Sequence, residues 1–366
     1  KITNTGQKTI AGQVIANSSI TVGDGTNASE FYIPSTFAVY GTADVLNNAT
    51  LNIANTTAPD FGTLSTGSTV KYTATGGSQS SPATDPDYYN LEIDNSNGFS
   101  LGGDATVNGT LTLTAGAISI GANNLTLEGN LSITSGSITG GGTSDLTIGS
   151  TGSKITLPAI SGNLNDLTVA RANGVDITTD LSTNNTSISA GGVLNILEGV
   201  THTVNTTLSN SNGTNTQYLN IKSSSSGTAN LITTSSVPGT VERYIIGSVA
   251  NEPYHFVSSP INAGPFSDLW TSGDYNVYWY NEAIVNVDLD VAWTRILSGN
   301  LTNGRGYAIV SDYASRTLSF GGSINASTVG APVSYTTTTG TFPNGDPQGY
   351  NLIGNPYPCA VSANSF

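Results

Sequence analysis

The sequence predicts an all-β chain: a right-handed parallel β-helix, a solenoid, followed by an antiparallel β-sandwich. Three observations carry that expectation. Apolar-polar-apolar triplets recur from Leu91 to Ile148, and those at Leu91, Leu111 and Leu131 are spaced by 20 residues. Gly, Asn and Ser separate the triplets, and helical periodicity is almost absent throughout. Past Ser235 the composition changes, because all three tryptophans, most prolines and most tyrosines lie beyond it.

Alternation at period two puts both aliphatics of a triplet on one face and the polar residue on the other. A strand of three residues cannot bury that face alone. A short fixed period lets stacking supply the core instead, which is the logic of a solenoid.

Residues 1–90 read as irregular opening coils and a cap. The short strand candidates there are Ile10, Val14-Ile15, Ile20-Thr-Val22, Phe31-Tyr-Ile33, Phe37-Ala-Val39, Leu51-Asn-Ile53 and Val70-Lys-Tyr-Thr-Ala74. Pro82 and Pro86 mark a Ser-rich loop that must bulge from the stack. Residues 91–235 read as regular coils with an internal duplication. Leu91 to Leu101 aligns without a gap on Leu167 to Ile177, with Asn97-Gly98 matching Asn173-Gly174 where a tight turn needs positive φ. The segment Thr234–Thr240 is the expected boundary. Residues 241–366 read as the sandwich, with longer strands at Val241–Ile245, Tyr254–Val257, Val277–Tyr280, Gly306–Val310 and Gly349–Ile353.

Composition excludes several functions. Only 9% of residues are charged, against about 25% in ordinary soluble domains, so hydroxyls and amides must hydrate the surface. Regular Leu, Ile and Val give the chain a core, which argues against disorder. The net charge is −14, from 24 acidic and 10 basic residues, with no basic cluster. Nucleic acid is thereby excluded as a partner, since its binding rests on Lys and Arg neutralising phosphates. No run of 18 apolar residues provides a membrane span. The chain opens at Lys1-Ile2-Thr3 with no apolar h-region, so any signal peptide is expected to lie outside it. Cys359 is the one cysteine and has no internal disulfide partner.

Val70-Lys-Tyr72 with Tyr89-Asn-Leu-Glu-Ile93, Val107-Asn-Gly-Thr-Leu-Thr-Leu113, Val241-Glu-Arg-Tyr-Ile245, Tyr254-His-Phe-Val-Ser-Ser-Pro260 and Gly349-Tyr-Asn-Leu-Ile-Gly-Asn-Pro-Tyr-Pro358 span most of the chain. Together they resemble Bacteroidota secreted and cell-surface β-helix proteins of the adhesin type, the kind exported as type IX secretion cargo. The resemblance implies an extracellular or cell-surface location and an adhesive or structural role, and it supplies no catalytic residues. It also implies a C-terminal domain cut short, because a sorting domain is expected beyond Phe366.

An enzyme is the rival reading, since β-helices also carry polysaccharide lyases and hydrolases. Asp145 and Asp166 could meet on successive coils, with Lys154 and Arg171 nearby, and a pair of carboxylates is what glycoside hydrolysis requires. Strand-ending surface acids are the plain alternative, and no catalytic residue is assigned. His202 and His255 fall in separate domains, so zinc has too few ligands. Calcium, the one cofactor left open, needs only oxygen: Asp85 with Asp87, or Asp288 with Asp290, could supply it, although neither pair completes a loop motif.

Tyr278, Trp279 and Tyr280 are the candidate ligand-binding residues. Aromatics beside Asn and Asp stack on sugar rings in lectin-like modules, and core packing is the ordinary alternative for a Trp. Thr112, Thr126, Ser132, Thr147, Thr156 and Thr168 stand outward from successive triplets, as an ice-binding ladder would, or simply because Thr suits exposed strands. The expected function is a non-enzymatic adhesin or surface structural protein. Its coils would act as a spacer, and its C-terminal domain would meet a glycan, a surface protein or another copy of the chain.

Overall fold

The computed structural model describes residues 1–3, 5–15, 19–84, 86–247, 254–269, 277–284, 292–310, 315–336 and 349–362. The chain is all-β and makes about 12 solenoid turns. It divides into two compact units, Lys1–Leu194 and Asn195–Phe366.

The first unit is solenoid, built from short parallel strands that pair with one another at a spacing of about 20 residues. One seven-stranded sheet runs through Gly6–Thr9, Ser29–Ile33, Ala49–Ile53, Thr69–Tyr72, Asn90–Asp94, Thr110–Ala115 and Asn130–Ile133. Its register stacks Leu51, Val70, Leu91, Leu111 and Leu131 in one column and Ile53, Tyr72, Ile93, Leu113 and Ile133 in the next. Leu91, Ile93, Leu111 and Leu113 are fully buried. At about 2 kcal/mol for each buried aliphatic, these columns hold the coils together. A second sheet contains Phe99–Ser100, Ala117–Ser119 and Ser137–Thr139, and a third contains Ala105–Val107, Asn124–Leu127, Asp145–Ile148, Leu164–Val169 and Leu181–Ile188.

The aliphatic columns end sooner than the triplets suggest. The seven-stranded sheet stops at Asn130–Ile133, so Leu131 is only half-buried and Ile133 is 38% exposed. Among the described residues no further strand of that sheet covers its free edge. The next turn is filled from elsewhere: Arg171, fully buried, sends its guanidinium into the corner. It donates to the carbonyls of Leu127, Glu128, Gly129, Gly149 and Ser153 at 2.7–3.0 Å.

Asn-rich turns have a structural cause. Asn55, Asn95, Asn97 and Asn173 donate side-chain N–H groups to backbone carbonyls of the preceding coil, so each amide satisfies a corner carbonyl that no strand reaches. Both Asn-Gly corners of the internal repeat behave alike, with Gly98 at φ 93° and Gly174 at φ 99°. Their strands do not. The first copy lies on the seven-stranded sheet and turns into the second sheet, whereas the other lies on the third sheet and turns into Val175–Ile177 of a different one. What repeats is therefore the chemistry of a corner.

In the second unit, Thr201–Asn210 pairs in parallel with Asn230–Ile232, and Leu219–Ile221 with Pro238–Ile245. Pro238–Ile245 also pairs antiparallel with Arg316–Ser323, which closes an edge that would otherwise present free N–H and C=O groups. The segment 234–240, where composition changes, lies inside this unit. Beyond it comes a four-stranded antiparallel sheet, in the order Tyr254–Val257, Tyr307–Val310, Val277–Tyr280, Trp293–Ile296.

Candidate functional site

Alternation along these four strands gives the antiparallel sheet two unlike faces. Val277, Tyr307 and Ile309 point one way and are buried to 1% exposure or less. Directly opposed residues in antiparallel strands share a face, so the register places Phe256, Ala308, Tyr278 and Arg295 together on the other side. Tyr254 and Tyr280 lie two residues from Phe256 and Tyr278 on that same side, and Trp293 stands opposite Tyr280. This second face is wet: Tyr254 is 64% exposed and Phe256 66%.

The small side chain of Ala308 leaves a floor among large rings. Tyr254, Phe256, Tyr278, Trp293 and Ala308 enclose a depression of about 580 Å³. Tyr280 and Trp293 meet edge to face, with ring centroids 5.4 Å apart and an interplanar angle of 77°, which fixes the Trp293 ring at the rim. Desolvation, then the negative charge of Glu282 and the neighbouring Tyr350, raise the pKa of Tyr280, so its hydroxyl stays neutral. Glu282 is buried, and its carboxylate accepts hydrogen bonds from the Ser334 and Thr336 hydroxyls and from the Thr336 and Gly349 amides. Desolvation alone would raise its pKa; the hydrogen bonds outweigh that and hold it below the ordinary value.

Of the three aromatics that the sequence points to, Tyr278 and Tyr280 belong to this face and Trp279 does not. Trp279 lies on the reverse side, where the Arg305 guanidinium covers its ring at 4.0 Å. Tyr254, Phe256 and Trp293 complete the group. The Tyr254-His-Phe256 alternation is visible in the sequence, but only the strand register joins it to Trp293.

The other candidates separate. Asp145 and Asp166 are register partners on adjacent strands, so the solenoid does bring them together. Their oxygens, however, take part in a ladder: Asp145 Oδ1 accepts from the Asn165 side chain and the Asp166 amide, and Asp166 Oδ1 accepts from Asn185. Lys154 pairs with Asp176 at 2.7 Å, and Arg171 is buried among carbonyls. Neither cation stands beside the two acids.

The outward hydroxyls belong to several columns. Thr126, Thr147 and Thr168 continue Thr106 and lead to Ser187 on the third sheet. Thr112 and Ser132 are on the seven-stranded sheet, and Thr156 pairs with Asp176 on another. Of the four acids considered for calcium, Asp87 is exposed on its strand, while Asp85, Asp288 and Asp290 lie outside the described residues. Among the described residues no three His, Cys, Asp or Glu side chains converge as a metal site, and no helix is long and apolar enough to cross a membrane.

A family model described as a domain of unknown function (DUF8693) matches residues 153–366, more than half of the chain. No curated protein and no solved structure matches it.

Proposed function

We propose that this chain, which belongs to the DUF8693 family, is a non-enzymatic, extracellular glycan-binding protein of a bacterial surface, its solenoid coils a spacer and its antiparallel sheet one layer of a sandwich that carries the contact site. One observation supports this most: five aromatic rings gathered on an exposed sheet face around Ala308. Flat rings with polar edges suit the apolar faces of sugar rings, and isolated exposed aromatics would not need a shared floor.

A catalytic reading would draw on the Asp145–Asp166 pair, yet proton transfer to a bound substrate needs carboxylates free to act, and both are engaged in the inter-strand ladder. The test incubates the chain with uronate polymers and neutral glycans and measures both binding and product release. Binding without unsaturated or reducing-end products is expected, lost in Trp293→Ala and Phe256→Ala while the melting curve is kept. Turnover abolished by Asp145→Asn or Asp166→Asn would overturn the proposal.

A further inference from the structure

Three sequence stretches, Val241–Ile245, Tyr254–Pro260 and Gly349–Pro358, converge on one place. Arg243, Ser258, Asn355 and Tyr357 help to line a cavity of about 410 Å³ whose wall includes Phe256. Phe256 also lines the aromatic depression, so the two spaces share a side chain. In this corner Asn355 is held by its own turn, donating to the Cys359 carbonyl at 2.6 Å and accepting from the Tyr357 amide at 2.9 Å.

Arg243 is the unusual member. Its Nη1 donates to the Glu242 carbonyl at 2.7 Å and its Nη2 to the Tyr357 carbonyl at 3.3 Å, so two neutral oxygens fix the guanidinium. The Glu242 carboxylate is already taken by Lys222 at 2.7 Å. Among the described residues Arg243 has no ion pair. Desolvation lowers its pKa, offset in part by Cys359. A half-buried cation without a counter-charge is costly unless an anion completes it, and a guanidinium keeps unused donors in a fork that matches a carboxylate.

The neighbouring sheet adds a second cation. The chain carries −14 overall, yet the four strands of the antiparallel sheet contain no Asp or Glu, and Arg295 stands on the aromatic face opposite Tyr278. Glu282, the acid that acts on Tyr280, has its carboxylate occupied by four hydrogen bonds, so Arg295 and Arg243 offer this part of an acidic protein to an anionic ligand.

We infer that the ligand of the aromatic face is an acidic glycan whose uronate carboxylate is held by Arg243 in the adjoining cavity. This inference rests on the glycan reading above and adds to it the charge of the sugar. Phe256, common to both spaces, places the stacked ring beside the residue that takes its carboxylate.

The test is calorimetric titration of the full chain with short polygalacturonate oligomers and with the same oligomers fully methyl-esterified, which keep the backbone and lose the charge. The acid should bind about tenfold or more tighter than the ester, the worth of a charge-assisted hydrogen bond. Arg243→Gln should remove that preference, weakening the acid about tenfold more than the ester. If Arg243→Gln unfolds, Arg243→Lys, which keeps the charge and loses the fork, carries the test with a reduced preference. Equal binding of acid and ester by the wild type, or an undiminished preference in a folded Arg243 variant, overturns the inference. Equal binding that Trp293→Ala abolishes would leave the glycan reading standing and this inference fallen. Binding of neither ligand overturns both.

Discussion

The guanidinium of Arg171 donates to the carbonyl of Gly129, 42 residues earlier and two corners down the stack, at 3.0 Å. The corner between them contributes Gly149 and Ser153 as further acceptors, so one side chain ties three successive turns of the chain.

Removing that side chain leaves several buried carbonyls without donors. Arg171→Ala should destabilise the first unit by at least about 4 kcal/mol or prevent its folding. Arg171→Lys should rescue little, since a single ammonium cannot reach acceptors spread over three corners. Chemical denaturation monitored by circular dichroism measures both.

Leu113 and Ile133 occupy the same column one coil apart, and their exposures, 0% and 38%, set their fates apart. Leu113→Asp must bury a charge and should unfold the middle coils. Ile133→Asp keeps its carboxylate in water and should cost less than about 1 kcal/mol. Thermal melts of the two variants decide this, and equal losses would contradict the structure.

Trp279 and Trp293 should likewise divide by face. Trp279 packs beneath Arg305 on the buried side, so Trp279→Ala should lower stability by about 3 kcal/mol and affect binding only through the fold. Trp293→Ala should leave the melting temperature nearly unchanged and remove the ligand contact, as titration at a temperature below both melts will show.

Two carboxyls give the second unit opposite responses to pH. Burial raises Asp268 to about 6, against a weaker pull from the Gly321 amide, and its Oδ2 has no hydrogen-bond partner. The folded state therefore holds this proton more tightly than the unfolded chain. The cost of ionisation is absent below 3.8 and fully present above about 6. Asp268→Asn should stabilise the protein by about 1 kcal/mol at neutral pH, after allowing for its partial exposure, and by nothing at low pH. Glu282 runs the other way. Its depressed pKa stabilises the fold above its ordinary 4.5 and stops doing so as the pH falls further. Hydrogen exchange at Thr336 and Gly349 should accelerate there first.

The solenoid is legible in the sequence because its period and its alternation report the same stacking twice, in Leu91, Leu111 and Leu131 and in the polar residues between them. The place where the stacking stops is not, since Ile133 has the same local pattern as Leu113 and differs only in lacking a neighbouring strand beyond it. Arg171 reads as a surface cation by type, whereas its burial depends on carbonyls from corners far apart in sequence. The aromatic face is half visible. Tyr278 and Tyr280 alternate on one strand, and adjacency groups Trp279 with them, but alternation sends it to the other side. Phe256 and Trp293 become partners only through the antiparallel register, which no local pattern encodes.

Within each parallel sheet of the first unit, every strand after the first pairs with one about 20 residues earlier, and this gives the chain a direction of assembly. Within each sheet a strand after the first finds its template already laid down on the amino-terminal side, so a chain that emerges from a ribosome or a narrow pore can wind up as it appears, without waiting for its far end. Contacts this close in sequence also keep the entropy of loop closure small at each step. The side chain of Arg171 reaches further back than any single pairing of strands, to carbonyls between 18 and 44 residues before it, and so fastens turns laid down earlier.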